Sequence, residues 1–337
     1  MSHQELLHTV EKIATAGKGI LAADESHKTI AKRFATINVE NNDINRRDYR
    51  EMLFTAPDLA QFISGVILFE ETLGQKASTG ITLSELLANQ GIIPGIKVDK
   101  GLVDLPNTNN EKITQGLDDL SDRLVTYKEM GAKFAKWRAV FNISPNTPSY
   151  AAIHTNAHAL ARYAAICQSQ GIVPIVEPEV LMDGDHDLAR CAEVTEFVLH
   201  QVFHELSLQQ VFLEGIILKP SMVIAGANNP KPATVEEVAK ATVDVLLRTV
   251  PAAVPTINFL SGGQSDELAT AHLNAMHQLA RKLPWNLSFS YGRALQAPSL
   301  NAWAGHSANV EQAKQALAKR AKLNGLAAVG QYQETME

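Results

Sequence analysis

Residues 133–179 decide the fold, because KFAKWRA (133–139), a long helical stretch and IVPIVEPE (172–179) follow one another there. Each quoted run is short and mainly apolar, which is typical of a buried strand in a parallel sheet. Between the runs, apolar residues spaced by four and three positions form one helical stripe: Ile153, Ala157, Leu160, Ala164 and Cys167. We expect that stripe to face the sheet. The stretch therefore predicts a β–α–β unit.

The same alternation of a short apolar run and a helical stretch recurs along the chain. Eight runs fit it: GILAAD (19–24), ISGVILFEE (63–71), IIPGIKVD (92–99), KFAKWRA (133–139), IVPIVEPE (172–179), LEGIILKP (213–220), VPTINFLSG (254–262) and LSFSYG (287–292). Eight units without a Pro/Gly/Ser-rich linker favour a closed barrel over an open doubly wound sheet. We predict an α/β fold: one (β/α)8 TIM-barrel domain over residues 1–337, with an N-terminal surface helix at about 3–16 and a short polar C-terminal tail at about 331–337.

Composition and charge exclude several classes of protein. The 337 residues are 45% hydrophobic and 20% charged, enough to bury a sizeable core and too polar for a membrane protein. A formal charge of −6 gives no field that would attract nucleic acid or an anionic membrane, so neither partner is expected. Two cysteines are too few for a disulfide framework, and the first residues do not resemble a signal or transit peptide. We expect a cytoplasmic protein.

Charged residues recur at the C-terminal ends of the predicted strands. In a barrel of this kind those ends form the rim where chemistry takes place, so the side chains are expected to converge on one pocket. Because burying an unpaired charge costs several kcal/mol, so many charges of both signs are hard to explain as stabilising ion pairs. We interpret the set as functional. It comprises Asp24, Glu70, Glu71, Lys97, Asp99, Lys136, Arg138, Glu177, Glu179, Lys219 and Arg293.

Lys219 is the predicted nucleophile. It ends the apolar run IIL, a desolvated setting that favours the neutral amine, which can attack a carbonyl. Lys136 lies two strands earlier, and alternate strands fill the same interior layer, so its cation is expected nearby and would lower the pKa of Lys219 further. Glu177 and Glu179, on the strand between them, are available to transfer protons, and Asp24 adds a third carboxylate.

A phosphate site is predicted after the seventh strand. Ser261, Gly262 and Gly263 lead into a helix start, and backbone N–H groups exposed by glycines before a helix bind phosphate. Barrels often place such a site after strands seven and eight. A glycine turn alone is a weak indication, since most such turns bind nothing. Arg293, at the end of the eighth strand after SYG (290–292), can bind the same anion and makes the interpretation more specific.

A second basic group follows the first strand. Lys32 and Arg33 lie in the helix after DES, and Ser26, Thr29 and Lys97 can join them as donors. Charge pattern alone fits a solvated helix face equally well. Two phosphate sites flanking a pair of lysines would nevertheless suit an open-chain sugar bisphosphate held at both ends.

No metal site is predicted. His154 and His158 stand four residues apart, which is a metal-ligand spacing, but no acidic or third imidazole partner accompanies them. We interpret them as solvated histidines flanking the apolar stripe. DGDHD (183–187) resembles a metal-binding sequence and is more simply a polar loop after the fifth strand. We therefore expect neither a metal nor a cofactor.

Seven motifs resemble those of the class I fructose-bisphosphate aldolases, in order and at similar spacing along nearly the whole chain. They are GKGILAADES (17–26), GIKVDKG (95–101), AKWR (135–138), PIVEPEVLMDGDHD (174–187), ILKPSMV (217–223), FLSGGQS (259–265) and SYGRALQ (290–296). The resemblance implies reversible, metal-independent cleavage of fructose 1,6-bisphosphate to dihydroxyacetone phosphate and glyceraldehyde 3-phosphate, in glycolysis and gluconeogenesis. It also implies a homotetramer and sugar phosphates as ligands.

The resemblance assigns roles to the matching residues. Lys219 would form a Schiff base with the ketone carbon, and Glu177 would be the main general acid and base. Lys136 and Asp24 would assist carbinolamine formation and carbon–carbon cleavage, supported by Glu179. The expected substrate-binding residues are Ser261, Gly262, Gly263, Ser290 and Arg293 at the ketose phosphate, Arg33 and Lys97 at the other end, and, completing the set, Gly292, Arg138, Ser26 and Thr29.

The sequence departs from animal members of this family at two points. It ends at Glu337, soon after GQY, without the long tail closing in a tyrosine that those members carry. We therefore expect the enamine proton to move through Glu177, water or Tyr332. Thr29 stands where the animal relatives have serine, which keeps a hydroxyl donor at that position.

Two alternative functions stay open from the sequence. One is an aldolase of relaxed specificity that also accepts other ketose phosphates, such as sedoheptulose 1,7-bisphosphate. The other is a catalytically silent barrel that serves as a binding scaffold, which the intact set of two lysines and a glutamate disfavours.

Overall fold

The architecture is a closed barrel of eight parallel strands, and the computed structural model describes residues 3–337. Ten strands are present in this range: β1 (Gly19–Ala23), β2 (Ile63–Leu68), β3 (Ile93–Lys97), β4 (Leu102–Asp104), β5 (Lys112–Thr114), β6 (Phe134–Phe141), β7 (Val173–Val180), β8 (Ile217–Leu218), β9 (Thr256–Phe259) and β10 (Asn286–Tyr291). The order around the barrel is β1–β10–β9–β8–β7–β6–β3–β2. The predicted (β/α)8 barrel is confirmed.

Helices surround the barrel. Within residues 3–337 they are α1 (Gln4–Ile13), α2 (His27–Ala35), α3 (Asp43–Phe54), α4 (Leu59–Phe62), α5 (Glu70–Gly74), α6 (Leu83–Asn89), α7 (Leu120–Glu129), α8 (Tyr150–Ser169), α9 (Leu188–Leu208), α10 (Val235–Thr249), α11 (Asp266–Gln278), α12 (Arg293–Trp303) and α13 (Val310–Ala327). Short 3₁₀ turns occur at Leu213–Gly215, Ser307–Asn309 and Glu334–Met336. Across the described range, no helix combines the length and the apolar character needed to cross a membrane.

Each of the eight predicted runs overlaps a barrel strand, but the strand ends differ from the prediction. The run 63–71 ends as a strand at Leu68, because Glu70 already begins α5. The run 213–220 forms only the two-residue strand β8, since a 3₁₀ turn occupies its start and Pro220 has no N–H to continue the ladder. The N–H of Lys219 donates to the carbonyl of Val176 at 2.8 Å, and the carbonyl of Pro220 accepts from the N–H of Leu260 at 3.1 Å.

A β-hairpin outside the barrel was not predicted. Strands β4 and β5 pair antiparallel, and the hydroxyl of Thr114 donates to the carbonyl of Arg138 at 2.7 Å, so the hairpin lies beside β6. All three residues of β4 are exposed. The alternation of buried and exposed residues that identifies a half-buried strand is therefore missing from the sequence.

Helix α1 closes the N-terminal end of the barrel. Its residues Leu6, Val10 and Ile13 are buried and form one apolar cluster with inward residues of the strands, including Phe134. The hydroxyl of Ser64 donates to the carbonyls of Ile13 and Gly19, at 3.0 and 3.1 Å, which ties the helix end to β1 and β2. Because this end is filled by side chains, it offers no room for a ligand, and chemistry is confined to the opposite rim.

The apolar stripe of α8 is buried along its whole length, as predicted. The two histidines beside it are half-exposed, but the interpretation that they have no acidic partner is wrong. Their Nδ1 atoms lie 3.3 Å (His154) and 3.0 Å (His158) from the buried carboxylate of Glu205 on α9. Since Glu205 is 47 positions from His158, local spacing could not show the contact.

Candidate active site

The C-terminal ends of the strands enclose a cavity of about 330 Å³. Gly263 lines a neighbouring cavity of about 320 Å³ that shares part of the same wall. The other residues to which the family resemblance assigned a role all line the rim cavity: Asp24, Ser26, Thr29, Arg33, Lys97, Lys136, Arg138, Glu177, Glu179, Lys219, Ser261, Gly262, Ser290, Gly292 and Arg293. The structure thus gathers residues from strands that are more than 250 positions apart in the sequence.

Glu177 lies between the two lysines. Its Oε1 atom is 3.2 Å from the amine of Lys219, and its Oε2 atom is 3.5 Å from the amine of Lys136. The amine of Lys136 also lies 2.6 Å from the carboxylate of Asp24. All four side chains are buried. The three neighbouring strands β6, β7 and β8 produce this order, with Glu177 on the middle strand.

The charges of this cluster stabilise one another. Burial acts to raise the pKa of Glu177, but Lys136, Lys219 and Arg138 outweigh it and hold the pKa below its ordinary value. Burial likewise opposes the charge of Asp24, and Lys136 and Lys219 hold its pKa well below the usual range. For Lys136 the carboxylates of Asp24 and Glu177 outweigh burial and raise the pKa. Near neutral pH the cluster therefore holds two ionised carboxylates and the Lys136 cation.

Three further cations of the cavity are each paired with a carboxylate from the chain, whereas Arg293 donates to backbone carbonyls. The amine of Lys97 lies 2.6 Å from the carboxylate of Asp99. The remaining two ion pairs are Arg33 with Glu25 and Arg138 with Glu179. Each of these cations is partly exposed while its carboxylate is more deeply buried, so the positive group is the one that faces the cavity.

Glu25 was missed by the sequence reasoning. It is buried, lines the cavity, and contacts both Arg33 and the fully buried Arg50 of α3. Burial opposes its charge, but the two guanidinium groups hold its pKa below the ordinary value. Its position directly after Asp24 was a signal that could have been used. Lys32, which was grouped with Arg33, is exposed and does not line the cavity.

The loop between β9 and α11 has the geometry expected of an anion site. Gly262 has φ +56°, a conformation that favours glycine, and Ser265 caps the N-terminus of α11. The Nη2 atom of Arg293 donates to the carbonyls of Gln264 and Gly262, at 2.5 and 3.4 Å. On the neighbouring strand β10, the hydroxyl of Ser290 is buried and has no partner within the described residues. Ser290 and Arg293 line the rim cavity together with Ser261 and Gly262 of the loop.

Some residues from the sequence analysis lie elsewhere. Glu70, Glu71 and Asp99 were expected in the pocket but do not line it, since the first two belong to α5 and Asp99 lies behind Lys97 as its ion-pair partner. Glu71 instead contacts Arg46 at 2.6 Å. Tyr332, one of the three proposed proton carriers, lines a separate cavity and donates its hydroxyl to Glu337 at 3.1 Å. Burial and the neighbouring Glu337 raise the pKa of Tyr332 to about 12.

Comparison with known proteins gives one consistent result. A model of the family described as fructose-bisphosphate aldolase class-I matches residues 5–337. Cytosolic fructose-bisphosphate aldolase 4 of Arabidopsis thaliana is 56% identical over 97% of this chain and 84% of its own length. A probable class 1 aldolase of Xanthomonas campestris pv. campestris is 55% identical over 98% of this chain and 99% of its own. Fructose-bisphosphate aldolase of Plasmodium falciparum, solved in a ternary complex with TRAP and a small-molecule inhibitor, has TM-score 0.96 and 52% identity, covering 98% of this chain and 95% of that chain.

With its titratable groups gathered at the C-terminal rim, the chain has the site of a (β/α)8-barrel enzyme. It belongs to the class-I fructose-bisphosphate aldolase family, as its motifs led us to expect. Family membership makes it a fructose-bisphosphate aldolase, a carbon–carbon lyase of glycolysis that acts on sugar phosphates.

Proposed function

We propose that Lys219 forms the Schiff base in the reversible cleavage of fructose 1,6-bisphosphate to dihydroxyacetone phosphate and glyceraldehyde 3-phosphate. The observation that carries the proposal is the 3.2 Å contact between the amine of Lys219 and Glu177. An amine that attacks a ketone needs a base within hydrogen-bond distance. Loss of water from the resulting carbinolamine gives an iminium ion, which withdraws electrons from the neighbouring carbon–carbon bond.

Glu177 is the proposed general acid and base. It is ionised at rest, because the neighbouring cations hold its pKa below the ordinary value, and it can therefore accept the first proton. It returns that proton to the carbinolamine hydroxyl, which leaves as water, and is then ionised again. During cleavage it takes the proton of the substrate hydroxyl on the far side of the breaking bond, and the electron pair of that bond enters the iminium as an enamine. Protonation of the enamine carbon and addition of water then release dihydroxyacetone phosphate and restore the amine.

Lys136 and Asp24 support these steps, and Glu179 completes the proposed catalytic set. The 2.6 Å contact between Lys136 and Asp24 keeps a cation beside the reacting amine. That cation stabilises negative charge on the carbinolamine oxygen. Glu179 pairs with Arg138, which orients a cation towards the substrate. Glu177 and water are the proposed carriers of the enamine proton, since Tyr332 lines another cavity.

The phosphates are proposed to bind at two ends of the cavity. The ketose-end phosphate binds to the loop at 261–263 and to Arg293, and the unpartnered hydroxyl of Ser290 is a further donor. The other phosphate binds to Arg33 and Lys97. This end lies near the N-terminus of α2, where the hydroxyls of Ser26 and Thr29 lie 3.2 Å apart. Gly292, which precedes α12, keeps the wall between β1 and Arg33 free of a side chain.

Covalent trapping tests the proposal directly. Borohydride added with dihydroxyacetone phosphate is expected to leave one adduct, on Lys219, that mass spectrometry of peptides locates. Lys219→Ala should give neither adduct nor turnover, whereas Lys97→Ala should still be trapped. EDTA is expected to leave the cleavage rate unchanged. Absence of an adduct, together with a rate that the chelator abolishes, would refute the Schiff-base proposal.

We further propose a cytoplasmic homotetramer in which residues 1–337 act as one barrel domain, without a cofactor, nucleic acid or membrane partner. The cytosolic names of the plant relatives support the location for those proteins, and the proposal extends it to this chain. Light scattering coupled to size-exclusion chromatography should give a mass four times that of the 36.6 kDa chain. A single-chain mass would contradict the tetramer.

A further inference from the structure

A buried pair of polar side chains lies behind the loop at 261–263. His272, on α11, places Nδ1 2.6 Å from Oε1 of Gln264, and Nε2 of Gln264 donates to the carbonyl of Ser261 at 3.1 Å. The exposed fractions are 2% for His272 and 5% for Gln264. His272 does not line the rim cavity. The pair thus connects the second turn of α11 to the first residue of the loop.

The direction of these hydrogen bonds is determined by chemistry. An amide oxygen only accepts, so Nδ1 of His272 must carry the proton that it shares with Gln264. Burial lowers the pKa of His272 to about 4, so the ring is neutral near pH 7 and carries a single proton. With that proton on Nδ1, the amide of Gln264 can present only its NH₂ group to Ser261.

Gln264 is held on its main chain as well. Its carbonyl accepts from Arg293 at 2.5 Å, and its N–H donates to the carbonyl of Ser261 at 3.2 Å. Between these bonds the chain passes through Gly262 at φ +56°. Fixing the side chain of Gln264 therefore restrains the whole turn that bears the proposed phosphate donors.

We propose that His272 is a positioning residue for substrate binding, which through Gln264 holds the loop at 261–263 in the conformation that accepts the ketose-end phosphate. The inference rests on the proposed assignment of that loop as a phosphate site. His272 acts without touching the substrate, and its contribution should appear in the KM of the ligand that carries this phosphate rather than in the chemical step.

The experiment compares three variants in the condensation direction, where the two substrates are varied separately. His272→Leu removes the donor, and His272→Asn retains one, because the amide nitrogen of asparagine occupies a position similar to Nδ1. His277→Leu is the matched control: His277 lies on the same helix and contacts the carbonyl of Leu287 at 2.9 Å, away from the loop. Thermal unfolding of each variant measures any general loss of stability.

His272→Leu is expected to raise the KM of dihydroxyacetone phosphate about tenfold, the effect of losing one buried hydrogen bond. The KM of glyceraldehyde 3-phosphate and kcat should change less than about twofold. His272→Asn should restore the lower KM, and His277→Leu should alter stability only. If His272→Leu does not fold, Gln264→Met is expected to give the same selective rise and decides in its place.

Three results would overturn the inference. An unchanged KM for dihydroxyacetone phosphate in His272→Leu, when Arg293→Ala raises it, would remove His272 from positioning and leave the phosphate site intact. An unchanged KM in Arg293→Ala would refute the phosphate assignment itself, and the inference with it. Equal rises for both substrates in His272→Leu, without rescue by asparagine, would show a merely structural role.

Discussion

At the scale of single residues, the carboxylate of Glu177 lies at the centre of the buried cluster. Each of its two oxygens faces a different amine, so one side chain connects Lys219 to Lys136. The Oε2 atom has no hydrogen bond within the described residues beyond its 3.5 Å contact with Lys136. An acceptor left in this state is available to a substrate hydroxyl.

Replacing Glu177 with glutamine tests its proton transfer. The amide has nearly the same shape but cannot accept a proton, so kcat should fall by roughly 10² to 10⁴-fold. Glu179→Gln is the matched control, since Glu179 pairs with Arg138 and not with a lysine, and a smaller loss is expected. Steady-state cleavage kinetics, with circular dichroism to verify folding, measure both. Equal losses in the two variants would contradict the assignment.

Single substitutions can test the two proposed phosphate-binding ends independently of each other. Arg33→Ala should raise the KM of glyceraldehyde 3-phosphate, and Arg293→Ala that of dihydroxyacetone phosphate, each by about 10- to 100-fold for a charge-assisted contact. Each variant should leave the other substrate's KM nearly unchanged. Condensation kinetics give all four values. If both substitutions affected the same substrate, the two ends would have been assigned wrongly.

At the scale of elements, α11 links the loop at 261–263 to the C-terminal region. Arg320 of α13 is buried, donates to the carbonyl of Asp266 at 2.8 Å and to the hydroxyl of Thr270 at 2.6 Å, and contacts the side chain of Glu337. The first turn of α11 is therefore held from outside by α13, while His272 holds the loop from behind. A helix anchored on both sides keeps its N-terminus in a constant position.

The stability of α11 should depend on pH through His272. Its pKa is about 4 when folded and ordinarily 6.5, so between these values the unfolded chain binds more protons. The contribution to stability is fully present above pH 6.5 and is lost as pH falls towards 4. From pH 7 to pH 5 the free energy of unfolding should fall by about 2 kcal/mol more in the wild type than in His272→Asn. Urea denaturation at both pH values measures this difference, and parallel pH profiles would contradict it.

Elements were predictable from the sequence where their burial was periodic. The stripe of α8 and the eight strand cores were found because each repeats an apolar spacing. The hairpin of β4 and β5 was not, since its first strand is entirely exposed. The short length of β8 was also not predicted, because a run of apolar residues does not show which of them pair in a ladder.

At the scale of the whole molecule, the barrel is filled at one end and open at the other. Large side chains such as Phe134 occupy the interior beside α1, and strand glycines allow them to fit. A Cβ atom at Gly95 would lie only 2.3 Å from the ring of Phe134. The packing of the closed end therefore requires glycine at position 95, because a larger residue would collide with Phe134.

Gly95→Ala should therefore destabilise the barrel. The added methyl group forces Phe134 to move within a dense core, at a cost of about 1–3 kcal/mol. The matched control is Gly74→Ala in α5, where the nearest atom is the flexible end of Met130 at 3.3 Å, and stability should change little. Thermal unfolding of both variants provides the measurement. A Gly95 variant as stable as the wild type would show that the closed end has spare room.

The sequence predicted which residues line the site better than it predicted which of them form ion pairs and hydrogen bonds with one another. Strand order brings Lys136, Glu177 and Lys219 to one rim, and that order follows from the (β/α)8 pattern. Which carboxylate neutralises which cation depends on rotamers and on distant helices, as the contact of Glu25 with Arg50 shows. The contacts of Gln264 with His272 are hidden for the same reason, since neither residue type signals a phosphate site.

The ion pairs that line the cavity have a consequence for how a ligand enters. Arg33, Lys97 and Arg138 are each paired with a fixed carboxylate, whereas Arg293 donates to backbone carbonyls. Binding of a phosphate at Arg33 and Lys97 is therefore an exchange of partners, in which one oxyanion displaces another. The two proposed phosphate ends thus differ, because a phosphate at Arg293 has no carboxylate to displace.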